Sequence, residues 1–228
     1  MKRKTSSAFT LIELLVVIAI IAVLASFAVP AITSALTKGQ LVGTVNNARQ
    51  YYLAGYQMAL DGNTNADINY NWPGDYNPAV ATLSAYSGKL VTNQYLKTGD
   101  LAKLLSGPGA TVGATSTTDA SGVVTVTLTG TPGLKVYELK DGDSANTIFA
   151  VSANYTYNTA LTTTTSPFGD KGFVVIRKGG DCLSLRKNNA LAANYPNASA
   201  FQSAVGKLTG DVDGTLGTEA TALVLAFP

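Results

Sequence analysis

The sequence predicts an α+β protein: a long N-terminal hydrophobic α-helix, or stalk, packed on a small antiparallel β-sheet domain to form a ladle. Two periodicities lead to this prediction. Apolar residues follow helical spacing over roughly the first sixty residues, and apolar and polar residues alternate along several short segments from Val123 onward. The 228 residues suffice for one domain of ordinary size beside the helix.

The beginning of the helix is able to cross a membrane. Three cations, Lys2, Arg3 and Lys4, precede an apolar run with no polar side chain between Leu14 and Ala25. About twenty apolar residues in a helix cover roughly 30 Å, the thickness of a bilayer core. Because the basic cluster lies before the run, we expect a cytoplasmic N-terminus and the remaining chain outside.

The helical spacing continues beyond Pro30, which together with Gly39 and Gly43 is expected to bend or loosen the helix. We expect the helix to end near Asp61-Gly62-Asn63, after about fifty residues. Its predicted apolar face holds Ile32, Leu36, Val42, Val45, Ala48, Tyr52, Tyr56 and Ala59. The segments 9–34 and 35–61 are therefore the membrane half and the amphipathic half of one helix, followed by a globular region over 62–228.

The globular region begins with a loop, 61–78, whose Trp72 we expect to pack on the domain core; a binding aromatic is the alternative. Short helices are predicted over 79–87, 99–105 (capped by Thr98 or Asp100) and 198–206 (capped by Asn197). A meander of antiparallel strands is predicted over 123–129, 134–139 and 147–151, with further strands over 172–177 and 223–227.

Glu13 is the one acid at the head of the apolar run. A carboxylate there is unfavourable in a membrane, and the nearest cations, Lys4 and Arg3, lie nine and ten residues back. A carboxyl group that is protonated or reaches the headgroups is one explanation. The other is a partner from a second subunit, or from a new N-terminus made by cleavage.

The sequence Ala8-Phe9-Thr10-Leu11-Ile12-Glu13-Leu14, followed by the apolar run and Pro30, resembles the processing and assembly segment of type IV pilins and type II secretion pseudopilins. The resemblance covers about residues 2–40. It implies that residues 1–8 are a leader, removed between Ala8 and Phe9 by a prepilin peptidase that also methylates Phe9. The family most often has glycine before the cut, where this chain has Ala8.

The resemblance also implies how the subunit assembles. The helix stays in the bacterial inner membrane, with the C-terminal domain in the periplasm, until an inner-membrane assembly platform moves it into a periplasmic or surface filament. Phe9, Glu13 and Pro30 would be the assembly residues, with Glu13 paired to the amine of Phe9 on a neighbouring subunit. The partners are then copies of this chain or minor pseudopilins.

Three functions stay open at this point. The favoured one is a type II secretion pseudopilin, because the single Cys182 excludes the internal disulfide that many type IV pilins have. A surface pilus subunit for adhesion, motility or DNA uptake is the second. The third is a secreted binding protein with a conventional signal peptide cut after Ala25, although Glu13 and the length of the apolar run disfavour it.

The composition speaks against catalysis and nucleic-acid binding. The chain has no histidine, one cysteine, and no nucleotide-binding or nucleophile-elbow motif, so we expect no enzymatic activity. Removing the three leader cations from 16 basic residues leaves 13 against 14 acidic ones, with no basic stripe. We expect Cys182 to be buried as a small apolar residue; a disulfide bond to another chain is the alternative.

Calcium is the one cofactor that the sequence suggests. Hard cations bind several oxygen ligands from a short loop, and residues 210–219 contain Asp211, Asp213 and Glu219. This loop loosely resembles the calcium loop of the major type II pseudopilin. A turn-rich loop without metal is the alternative.

Overall fold

The computed structural model describes residues 9–220 and 223–227 and shows a mixed α+β protein, as predicted. Helix α1 covers Leu11–Asn65, and it is followed by α2 (Leu83–Thr92), α3 (Thr98–Leu105) and α4 (Ala198–Ala204). The strands are β1 (Val112–Thr118), β2 (Val124–Gly130), β3 (Leu134–Val136), β4 (Ile148–Ser152), β5 (Phe173–Arg177) and β6 (Cys182–Leu185). The chain divides into two compact units, Met1–Gly39 and Gln40–Pro228.

The strands form two antiparallel sheets rather than one meander. β1 and β2 pair with each other, and the second sheet has the order β3-β4-β5-β6. The predicted pairing of residues 123–129 with residues 134–139 is therefore wrong. β2 pairs with β1, which precedes it in the chain, and β3 pairs with β4, which follows it. β1 and β6 were not predicted, since the Gly, Ala, Thr and Ser content of β1 gives little hydrophobic alternation and β6 is only four residues long.

The predicted apolar face of α1 is confirmed at Ala48, Tyr52 and Ala59, which are buried, and is wrong at Val42 and Tyr56, which are 57% and 43% exposed. The buried face also includes residues that were not predicted: Leu41, Tyr51 and Met58. Two glycines belong to the buried face: a Cβ on Gly55 would lie 2.6 Å from the Tyr86 hydroxyl, and one on Gly62 would lie 1.6 Å from the Tyr70 carbonyl oxygen. Because Gly62 serves as a packing residue, the helix continues past the predicted stop.

The central strands β4 and β5 are buried over their whole length. An aromatic cluster covers one face, where the Phe149 ring lies 5.5 Å from the Tyr52 ring and 5.8 Å from that of Trp72, between centroids. Trp72 is 2% exposed, which confirms its predicted place in the core. On the other face Phe201 of α4 packs with buried tyrosines, including Tyr157.

The shorter helices begin at different residues from those predicted. α2 begins after Thr82, whose hydroxyl accepts a hydrogen bond from the Ala85 N–H. α3 begins after Lys97 and has no side-chain cap, so neither Thr98 nor Asp100 caps it. Asn197 caps α4 as predicted, accepting from the Ala200 N–H at 2.9 Å. Residues 223–227 form isolated bridges rather than a strand.

Candidate assembly site and C-terminal loop

The N-terminal end of α1 is closed by a reciprocal pair of side chains. The Glu13 Oε2 atom accepts hydrogen bonds from the Thr10 N–H at 2.8 Å and from the Thr10 hydroxyl at 2.7 Å. The Glu13 N–H in turn donates to Thr10 Oγ1 at 3.2 Å. This is a capping box, which satisfies backbone donors that the first turn of a helix leaves free.

Glu13 therefore has a local partner, Thr10, although no cation lies near it in the sequence. The signal was present as Thr-x-x-Glu directly before an apolar run. Thr10 is neutral, however, so the carboxylate keeps its charge. Within the described residues all the hydrogen bonds to this carboxylate reach Oε2, and Oε1 accepts none. One oxygen is thus open to a donor from outside the chain.

Ala8, the predicted residue before the cut, lies outside the described residues, and Phe9 is the first described residue. The Phe9 ring is 75% exposed. Pro30 lies within α1, which is unbroken from Leu11 to Asn65.

The first half of α1 has an apolar surface that no other residue of the described ranges 9–220 and 223–227 covers. Every large apolar side chain from Phe9 to Leu36 is at least 46% exposed. An 18-residue window of this helix has a mean hydropathy of 2.9, so the segment is long and apolar enough to cross a membrane. Soluble proteins rarely expose continuous apolar surface of this extent, which indicates contact with lipid or with other chains.

The three carboxylates predicted to bind calcium have separate partners. Asp213 forms an ion pair with Lys207 at 2.8 Å. Asp211 accepts from the backbone N–H groups of Leu208 at 3.2 Å and Gly217 at 3.3 Å. Among the described residues no group of three or more Asp, Glu, Cys or His side chains is placed to hold a metal.

Glu219 is more enclosed than Asp213, with its side chain 10% exposed against 84%. Its Oε1 atom lies 2.5 Å from Lys135 Nζ. Its Oε2 atom accepts from the Tyr137 hydroxyl at 2.6 Å and from the Tyr157 N–H at 2.9 Å. Burial, and then the Glu219 carboxylate, raise the pKa of Tyr137 well above its ordinary value, so this hydroxyl stays a donor.

The Lys135 ammonium, the Tyr137 hydroxyl and the Tyr157 N–H already stabilise the negative charge of the Glu219 carboxylate, as a metal ion would. A calcium ion would need these oxygens to leave the Lys135 ammonium and the tyrosine hydroxyl. Calcium binding by Asp211, Asp213 and Glu219 stays a prediction, which chelation can test.

Cys182 is partly buried, in agreement with a packing role. Burial raises the pKa of its thiol, so the reactive thiolate is disfavoured.

The fold is α+β, and its N-terminal helix is long and apolar enough to cross a membrane. Residues 3–29 match the prokaryotic N-terminal methylation motif. This motif is the signature of type IV pilins and pseudopilins, and it implies processing of the N-terminus by a prepilin peptidase. No curated protein and no solved structure matches the chain significantly.

Proposed function

We propose that this protein is a type II secretion pseudopilin, which polymerises into a short periplasmic filament that drives export. The main support for this proposal is that two features occur over the same residues. The methylation motif covers residues 3–29, and the large apolar side chains from Phe9 to Leu36 are all exposed. Such a surface is suited first to lipid and then to the apolar centre of a filament.

Cleavage between Ala8 and Phe9 would create the charge that Glu13 needs. The new α-amine at Phe9 is cationic, and Glu13 keeps one carboxylate oxygen open while Thr10 holds the other. Pairing with the Phe9 amine of a neighbouring subunit would neutralise the carboxylate in an apolar environment. The three leader cations favour a cytoplasmic N-terminus, so the globular region would be periplasmic.

The choice of a pseudopilin over a surface pilin is supported by the C-terminal region. The lone cysteine excludes an internal disulfide, and Glu219 joins the C-terminal segment to Lys135 and Tyr137 by polar contacts. We infer that closure of the C-terminal region by polar contacts, without a disulfide, fits the pseudopilin.

Peptide mass spectrometry of the membrane fraction tests the processing. We expect a terminus at Phe9 with one additional methyl group. A terminus at Ser26 would mean an ordinary signal peptide and would overturn the proposal.

The Glu13→Ala variant tests the pairing, with Ser26→Ala as a control of similar size on the same helix. Glu13→Ala should insert into the membrane normally and give at least tenfold fewer sedimentable filaments. Normal filaments from Glu13→Ala would exclude the pairing.

Deletion of the gene distinguishes the two subclasses, because loss of exported proteins indicates a pseudopilin and loss of surface filaments indicates a pilin.

A further inference from the structure

The globular region covers one edge of each sheet and leaves the other edge open. On β2 the Val124 N–H donates to Thr92 Oγ1 at 2.9 Å and the Leu128 N–H donates to Ser84 Oγ at 3.4 Å, so hydroxyls of α2 cover that edge. On β3 the Val136 carbonyl accepts from the Leu225 N–H at 2.8 Å. The outer edges of β1 and β6 remain.

The register shows which groups of β1 point outward. The hydrogen bonds from Thr131 N–H to the Thr111 carbonyl and from Asp119 N–H to the Val123 carbonyl continue the ladder at both ends. Odd-numbered residues of β1 therefore bond to β2, and even-numbered residues point away from it. Of these, Val112 donates to Ser106 Oγ, while the backbone groups of Ala114, Ser116 and Thr118 have no partner within residues 9–220 and 223–227.

The same reasoning applies to β6. The Arg177 N–H donates to the Asp181 carbonyl at 3.0 Å, so odd-numbered residues bond to β5. Cys182 and Ser184 thus direct their backbone groups outward, and these too have no partner in the described part of the chain.

Of the two edges, β1 lacks most of the features with which proteins prevent strand pairing. Natural edge strands are protected by charged residues, prolines, bulges, a covering segment or a very short length. β6, with four residues, has the last of these, so its edge offers the backbone groups of Cys182 and Ser184. β1 has none of the first three over Val112–Thr118, its pairing with β2 is regular, and Ser116, Thr117 and Thr118 are exposed. The Thr98 hydroxyl touches Ser116 only at its side-chain oxygen.

We propose that the β1 edge of one subunit pairs with the β6 edge of the next subunit in the filament. The proposal rests on the proposed function, because a helical polymer needs two different surfaces that meet head to tail, and a self-complementary surface would close into a dimer. Strand addition to an open edge joins chains through main-chain hydrogen bonds. With four residues in β6, this contact orients neighbouring globular regions, while the helices supply most of the polymer interface.

Cysteine cross-linking of the full-length protein in filaments tests the pairing. All variants carry Cys182→Ser, so only engineered cysteines react. Two test variants combine Ser184→Cys with Ser116→Cys or with Thr118→Cys, because residues opposite each other on paired strands have Cα atoms about 5.5 Å apart, within disulfide range. The matched control combines Ser184→Cys with Thr117→Cys, an equally exposed neighbour on the opposite face of β1.

After oxidation with copper phenanthroline, we expect at least one test variant to give a ladder of covalent dimers, trimers and larger species on a non-reducing gel. The Thr117→Cys control should give at least fivefold less. Adding Glu13→Ala should remove the ladder, because the contact forms in the filament. A ladder of equal strength from the control would reveal random collision and overturn the proposal.

Two further outcomes would also overturn it. Dimers alone, formed equally by Ser116→Cys without Ser184→Cys, would mean that β1 pairs with β1. Filaments of normal yield from subunits processed at Phe9, without cross-links in either test variant, would leave the proposed function intact and exclude the edge pairing. A terminus other than Phe9 would instead remove the proposed function itself.

Discussion

The two halves of helix α1 have the same backbone conformation and opposite surroundings. From Phe9 to Leu36 every large apolar side chain is exposed, whereas between Leu41 and Gly62 the helix buries ten residues. The first half is uniformly apolar around the helix, and the second half has one apolar face. The distribution of apolar residues around the helix, and not helix propensity, therefore decides how each half is covered. The half that is apolar on all sides needs lipid or other chains, and the half with one apolar face packs within its own domain.

The largest expected difference between the two halves concerns side-chain truncation. Met58→Ala removes a fully buried side chain and should destabilise the globular region by about 2–5 kcal/mol. Leu15→Ala, on the exposed half, should leave its unfolding unchanged. Thermal unfolding of the full-length protein in detergent micelles measures both, and equal shifts would contradict the comparison.

Substitution of glycine by alanine should also affect the two halves of the helix differently. Gly62→Ala places a methyl group against the Tyr70 carbonyl, so the backbone must move, at a loss of about 1–3 kcal/mol. Gly39→Ala meets nothing within 4 Å and should stabilise the helix by up to about 1 kcal/mol. Urea denaturation of the same micelle preparations distinguishes the two, and destabilisation by both variants would show that helix geometry rather than packing matters.

Glu219 and Glu13 show the same contrast between a packed and an exposed region. Both carboxylate oxygens of Glu219 have hydrogen-bond or ion-pair partners, whereas only one oxygen of Glu13 has any. Glu219→Gln should destabilise the globular region by about 1–3 kcal/mol, because Lys135 loses its charged partner. Asp213→Asn, at a side chain that is 84% exposed, should have an effect below about 0.5 kcal/mol.

The same unfolding assay tests calcium. Chelation with EGTA should leave the melting temperature unchanged if the polar contacts alone hold the loop. A decrease that calcium reverses would establish the predicted metal site.

A local effect is expected at the helix start. Thr10→Val removes the hydroxyl that holds Glu13 and should destabilise the first turn by about 0.5–2 kcal/mol. Thr10→Ser keeps the hydroxyl and is the control. Amide hydrogen exchange of residues 11–14 in micelles should be faster only in Thr10→Val, and equal rates would remove the role of Thr10 as a cap.

The sequence was most informative where one periodicity continued for many residues. The apolar run, the membrane-length helix, the α+β class and the cap at Asn197 were all predictable. The helix end and the strand β1 were not predicted correctly, because both depend on tertiary contacts. Gly62 acts as a packing residue because Tyr70 lies against it, and β1 is a strand because β2 pairs with it. The separate partners of Asp211, Asp213 and Glu219 also come from distant parts of the chain, which spacing within one loop cannot reveal.

The covering of β3 by the C-terminal segment has a consequence for biosynthesis. Leu225 bonds to Val136, and Ala226 bonds to both Ala81 and Leu83. The ribosome makes these two residues long after it has made β3, so the β3 edge stays bare until residue 225 has been synthesised. Chains released before that point therefore carry an additional adhesive strand edge.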